Sequence, residues 1–204
     1  MPKTTKDETV RGRIMTAAMT AFMEQGYTGT STLEIATRAK VSKRDIYAEF
    51  GSKQAVLEAC IADRARRMAL PSDLPRPRTR AEFAGILSAI GKTLLREISD
   101  PVVISVFRLA IAEAIRAPEV ARTLHQSGAH AARTAISNVM RHAQEAGLLN
   151  GEDPADLASL FFALTWKNLL VDLILGVAAT PEPDEIDRRV EAGIKAFLAL
   201  HPAP

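Results

Sequence analysis

Residues 31–50, STLEIATRAKVSKRDIYAEF, constrain the fold more than any other stretch of the chain. They read as two short helices joined by a tight turn. Ser31 is an N-cap with Glu34 three residues later, the spacing of a capping box in which side chains satisfy the backbone N–H groups of the first turn. Leu33, Ile35, Ala36 and Ala39 supply an apolar face, and the helix ends near Lys40. Val41 is an apolar turn residue expected between the helices. Ser42 caps the second helix, with Asp45 at the N3 position as a shorter version of the box. Asp45 also complements the positive end of the helix dipole. Ile46 and Phe50, four apart, lie on one inward face. Lys43 and Tyr47 then share an outward row, as do Arg44 and Ala48. Such a helix suits a DNA major groove. Lysine and arginine reach phosphates or guanine acceptors, and tyrosine donates to a phosphate oxygen. Ser52 caps the following helix, and Lys53 in its first turn stands near N–H groups that attract phosphate. The plain alternative is a solvated helix face with surface cations.

The upstream segment favours the DNA reading. Residues 9–25 carry Ile14, Ala17, Ala18, Ala21 and Phe22 at helical spacing, and Gly26 is a plausible stop. A third helix gives a helix-turn-helix its core. With these residues in place the chain resembles the TetR/AcrR family of regulators. The matching positions are Ile14, Ala17, Ala18, Phe22, Gly26-Tyr27, Thr30-Ser31, Ile35-Ala36, Ala39, Val41-Ser42, Ile46-Tyr47, Phe50, Ser52-Lys53 and Leu57, within residues 8–68. The resemblance implies phosphate contacts from Thr30, Ser31, Tyr47 and Lys53, and base readout from Ser42 to Ala48. One departure stands out. Ala48-Glu49 replaces the family's frequent aromatic or basic residue followed by His. Glu49 cannot donate to phosphate; either it faces away from the backbone, toward Lys53, or contact there is weaker than usual, and accepting from a cytosine amino group is a further option.

Charge supports local rather than bulk attraction to DNA. Residues 1–70 hold 12 Lys+Arg against 8 Asp+Glu, whereas residues 71–204 hold 14 against 16. The single cysteine, Cys60, excludes an intrachain disulfide and fits a reducing cytoplasm. It lies in the apolar run Val56, Leu57, Cys60, Ile61, as a core thiol would. The N-terminal MPKTTKDETVRG lacks a signal-peptide apolar core. The apolar stretch 155–179 is broken by Asp156, Lys167, Asn168 and Asp172, so no membrane span is expected.

Helical spacing recurs and strand alternation is absent, so the expected fold is all-α with about nine helices. A DNA-binding domain at 8–68 is followed by the proline-rich linker 71–79 and a larger helical domain to residue 204. Its helices are expected at 80–98, 101–117, 118–146, 153–176 and 183–200. Thr79 and Glu82 form another capping box, and Gly128 marks a bend or a close approach. Residues 157–175 are apolar on nearly every face and need burial on more than one side. Ile186, Val190, Ile194 and Phe197 form a seam on the last helix, with Gly193 beside it for close helix approach. These last two helices are expected to build a homodimer, as the resemblance also implies, although a plain intramolecular core would look similar. The resemblance further implies a small-molecule pocket in the middle helices, and Phe107–Gly128 looks like an AcrR-type subgroup. Candidate pocket residues are Phe83, Phe107, Phe161, Phe162, Trp166 and Met140, with Arg108, His125 and His130 as polar candidates. Each aromatic is equally at home in a core.

No P-loop, dinucleotide fingerprint, nucleophile elbow or zincin motif occurs, so neither an enzyme nor a cofactor is expected. His125 and His130 lack the i,i+4 spacing of a helical metal pair, and His142 and His201 have no sequence-local partner, so no metal site is expected. The expected function is a ligand-responsive transcriptional repressor binding a pseudo-palindromic operator as a dimer. A helical interaction or ligand-binding protein without specific DNA binding is the alternative.

Overall fold

The computed structural model describes residues 9–67, 74–126 and 130–202. Eleven helices and no strands are present among these residues. They are α1 (Val10–Gly29), α2 (Thr32–Ala39), α3 (Lys43–Phe50), α4 (Lys53–Arg67), α5 (Arg80–Ile98), α6 (Pro101–Glu113), α7 (Pro118–Leu124), α8 (His130–Glu145), α9 (Pro154–Trp166), α10 (Leu169–Leu175) and α11 (Pro183–Leu200). The all-α expectation holds, with two helices more than expected among the described residues. The stretch read as one helix over 118–146 is α7 and α8. That over 153–176 divides at Lys167, whose positive φ of 48° ends α9, and α10 leaves at 55°. Gly128 lies outside the described residues.

Two compact units are formed. The first contains α1–α4 and residues 105–126 of α6 and α7. Its core joins Ile14, Ala18 and Phe22 of α1 to Ile35, Ile46 and Leu57, with Val106, Leu109, Ala110 and Val120 closing it. Packing thus draws residues from beyond the linker into the unit that carries the helix-turn-helix. Cys60 sits in this core with its thiol 3.4 Å from the Met15 carbonyl, and burial pushes its pKa up to about 12.

The second unit contains α5, α8, α9, α10 and α11. Two glycines let its helices close up. A Cβ on Gly193 of α11 would stand 2.7 Å from Thr165 Oγ1 and 3.1 Å from Thr165 Cα on α9. A Cβ on Gly91 of α5 would stand 2.9 Å from Val190 and 3.2 Å from Phe161. The expected close approach at Gly193 is therefore intramolecular. The α11 seam of Ile186, Val190, Ile194 and Phe197 is buried within the chain, where α11 packs on α5 and α9, so it is not left over for a partner. Arg80 ties the ends of this unit, donating to the carbonyls of Leu148, Leu198 and His201 at 2.7–3.0 Å.

Burial of α9 and α10 by this chain is one-sided, short of the burial on more than one side that their apolar content leads one to expect. Leu157, Phe161, Leu169 and Leu173 are buried, whereas Val171, Leu175 and Val177 are 56%, 68% and 75% exposed. No single helix among the described residues is long and apolar enough to cross a membrane.

Candidate nucleic-acid interface

The turn between α2 and α3 is made by Lys40 in the left-handed region (φ 53°), with the Val41 amide returning to the Ala36 carbonyl at 3.0 Å. Ser42 then starts α3 with a complete reciprocal cap. Its Oγ accepts from the Asp45 amide, and Asp45 Oδ2 accepts from the Ser42 amide at 2.7 Å. The Ser42 hydroxyl and amide bonds hold the Asp45 carboxyl below its ordinary pKa. Ile46, fully buried, anchors the helix from beneath.

This arrangement displays Ser42, Lys43, Arg44, Tyr47, Ala48 and Glu49 to solvent. Tyr47 is 47% exposed, and the Lys43 ammonium lies 5.8 Å from its ring centroid. Among the described residues neither Lys43 nor Arg44 enters an ion pair, while Arg11 and Arg38 of the same unit do. Two exposed cations beside an exposed phenol are side chains of the kind that bind a polyanion. Ser31, the exposed N-cap of α2, accepts from the Glu34 amide at 3.1 Å and keeps its own O–H to donate.

Glu34 does not complete the expected capping box. Its carboxylate accepts from Arg38 at 2.7 Å and Gln25 at 2.6 Å instead. The longer side chain reaches a cation one turn along α2 and an amide on α1, where the shorter Asp45 reaches only its own cap.

Two expected phosphate ligands are occupied internally. Thr30 is 2% exposed, and its hydroxyl donates to the Gly26 and Ala21 carbonyls at 2.8 and 3.1 Å. Lys53 turns inward, donating to the Tyr27 and Thr30 carbonyls at 2.8 and 2.9 Å with its ammonium 4.3 Å from the Tyr27 ring centroid. Desolvation lowers the Lys53 pKa, against the opposing pull of Glu113 and Glu119. Glu49 meets Arg11 and not Lys53. Arg11 Nη1 donates to the Glu49 carbonyl at 3.1 Å and lies 3.8 Å from its carboxylate.

Sequence reasoning missed two residues that shape this face. Arg11 also covers the Phe50 ring, 4.3 Å from its centroid. Glu113 of α6 holds the turn before Ser31, accepting from the Thr28 amide at 3.0 Å and the Thr28 hydroxyl at 2.5 Å. Their partners lie 38 and 85 residues away in the chain, beyond any local pattern.

The candidate pocket residues divide between the units. Phe107, Arg108 and His125 belong to the first; Phe83, Met140, Phe161, Phe162 and Trp166 belong to the second. Phe83, Met140 and Phe161 are fully buried, and Phe83 and Phe161 each stack edge-on to Phe197. They serve as core. Phe162 and Trp166 are half-buried, 4.8 Å apart, and line a cleft of about 210 Å³ with Arg133 and Lys167. His125 is exposed, and the side chain of His130 lies outside the described residues. No cluster of metal-ligating side chains occurs among the described residues. His201 does gain a partner unseen in sequence, its Nδ1 lying 3.2 Å from Glu152.

Known proteins share this pattern over both units. A family model described as bacterial regulatory proteins, tetR family, matches residues 14–60. A second, described as the AefR-like transcriptional repressor C-terminal domain, matches residues 85–201. The solved structure of the flavonoid-responsive regulator FrrA is 29% identical with a TM-score of 0.80, the match covering 96% of this chain and 97% of that one. The HTH-type transcriptional regulator YvkB of Bacillus subtilis is 23% identical over 92% of this chain and 96% of its own. The HTH-type transcriptional regulator BetI of Burkholderia thailandensis is 35% identical over 92 residues, 41% of this chain; the chain spans about half, 47%, of that relative's length.

Proposed function

The chain belongs to the TetR family of DNA-binding transcriptional regulators, and on that premise we propose that it is a dimeric repressor released from its operator by a small molecule. The observation that carries the DNA-binding half is the α3 face: Lys43, Arg44 and Tyr47 stand exposed on a helix whose other side is locked by Ile46. Ser42 to Ala48 read base edges, and Ser31 and Tyr47 contact phosphate. Lys53 and Thr30 act indirectly, by holding the turn that presents Ser31.

Dimerisation through the α9–α10 stretch is supported by the exposed apolar residues Val171 and Leu175 of α10 and Val177 just beyond it. The α11 seam is already used within the chain, so α11 contributes through its other face. A two-fold dimer would engage half-sites roughly 34–36 Å apart. A cytoplasmic setting follows from action on chromosomal DNA.

FrrA is described as flavonoid-responsive, which makes an aromatic small molecule the first effector class to try. The half-buried pair Phe162 and Trp166, beside Arg133 and Lys167, suits an aromatic anion. Differential binding to the free and DNA-bound states, worth roughly 1–3 kcal/mol, would loosen the operator about 5–150-fold.

The test is selection of duplexes from a random pool by the purified protein, followed by mass measurement of the complex. A recurring inverted repeat bound by an even number of chains supports the proposal. Enrichment of no sequence would overturn operator recognition, and one chain per site would overturn the dimer.

A further inference from the structure

The turn between α1 and α2 is gripped from two sides by side chains that lie outside the α2–α3 pair. α1 breaks at Gly26 (φ 76°, ψ 164°), and the chain runs through Tyr27, Thr28 and Gly29 to the Ser31 cap. Lys53 of α4 takes the carbonyls of Tyr27 and Thr30. Glu113 at the end of α6 takes the opposite polarity, the amide and the hydroxyl of Thr28. Glu113 is only 7% exposed. Gly26 makes room for it, since a Cβ there would stand 2.8 Å from Glu113 Oε1.

We propose that Glu113 is a positioning residue for DNA binding: from α6 its carboxylate fixes the turn that aims α2 and, through it, α3. Geometry supports this over a purely stabilising role. Ser31 begins α2 immediately after the gripped residues, and α2 packs directly on α3. A buried carboxylate accepting both an N–H and an O–H from one residue has a narrow range of positions, because losing either donor leaves lone pairs desolvated. Any displacement of Glu113 therefore drags Thr28 and shifts the entry to α2. Lys53 alone cannot hold the turn's amide side, because an ammonium only donates. Arg116 is the cation whose charge acts on Glu113 from the same segment.

The inference rests on DNA binding by α3, and its test separates the two. Glu113→Ala, Glu113→Gln and Thr28→Val are compared with the parent by titration against the duplex the parent selects from a random pool. Hydrogen exchange is followed in each free protein. In Glu113→Ala, amides of residues 27–35 should exchange faster and affinity should fall roughly ten-fold or more, the loss expected from one charge-assisted hydrogen bond. Glu113→Gln keeps a carbonyl for the Thr28 amide and should recover most of that affinity. Thr28→Val loses only the hydroxyl donor and should weaken binding less than Glu113→Ala, at unchanged helicity. If Glu113→Ala fails to fold, the other two variants decide: binding by both as tight as the parent overturns the proposal. Faster exchange at 27–35 with parental affinity overturns it as well. If the parent selects no duplex, the DNA-binding reading fails, while unchanged exchange in the Glu113 variants would independently refute the positioning role.

Discussion

Arg11 of α1 is fastened to Glu49 of α3 at two points, donating to its carbonyl at 3.1 Å and lying 3.8 Å from its carboxylate. The same guanidinium covers the Phe50 ring. The acid that departs from the family pattern is thus partly neutralised by a cation from the first helix.

Replacing Glu49 with Gln keeps the backbone contact and removes the negative charge. The Arg11 charge, still held at the Glu49 carbonyl, is then no longer offset by a carboxylate and acts on nearby phosphate. The variant should bind DNA a few-fold more tightly at low salt, with the slope of log affinity against log salt steeper by about 0.9. Titrations at three salt concentrations measure both. Equal or weaker binding would show that Glu49 reads a base or that Arg11 stays away from DNA.

Lys53 and Arg44 should behave as opposites although both are cations near the recognition helix. Arg44→Ala should weaken DNA binding and leave the stability within about 0.5 kcal/mol of the parent, as surface substitutions do. Lys53→Ala leaves the Tyr27 and Thr30 carbonyls without their donor and should cost about 1–3 kcal/mol of stability. Chemical denaturation separates the two effects.

Acid should loosen the helix-turn-helix unit through two carboxylates. Thr28 bonds lower the Glu113 pKa and Ser42 bonds lower that of Asp45, from ordinary values of 4.5 and 3.8. For a group whose pKa is depressed on folding, the stabilisation is fully present above the unfolded pKa and disappears as pH falls through the folded one. Stability should therefore fall below about pH 4.5. Glu113→Gln should flatten the acid limb when midpoints are followed from pH 3 to 6.

The two helical contacts made by glycine predict an ordered series. Gly193→Ala places a methyl against the Thr165 backbone, which cannot swing aside, and should cost about 1–3 kcal/mol. Gly91→Ala meets side chains of Val190 and Phe161 that can adjust, so its cost should be smaller. Gly85→Ala on the open face of α5 meets nothing within 4 Å and should gain up to about 1 kcal/mol of helix propensity. Denaturation midpoints of the three variants give the order directly.

Local chemistry was legible in the sequence. Ser31, Ser42, Ser52, Thr79 and Asp153 all accept an amide at a helix start, as their types and positions indicate. The outward row of Lys43, Arg44 and Tyr47 followed from the inward pair Ile46 and Phe50. What local pattern could not show was where long polar side chains go once helices pack. Lys53 found two carbonyls from α1 and its following turn, Thr30 found the end of α1, and Glu34 found Arg38. The apolar seam of α11 was visible, but periodicity cannot distinguish a face covered by the chain itself from one covered by a second copy. Lys167 gave no hint of its positive φ, since no glycine or proline marks the break between α9 and α10.

The most direct test of DNA reading by α3 compares the parent with Lys43→Ala/Arg44→Ala in equilibrium titrations against the parent-selected duplex, with excess random competitor at two salt concentrations. The double variant should keep the parental helicity and midpoint, lose sequence preference, and show a shallower salt dependence. Undiminished, competitor-resistant binding by the double variant would contradict the account and place recognition elsewhere on the protein.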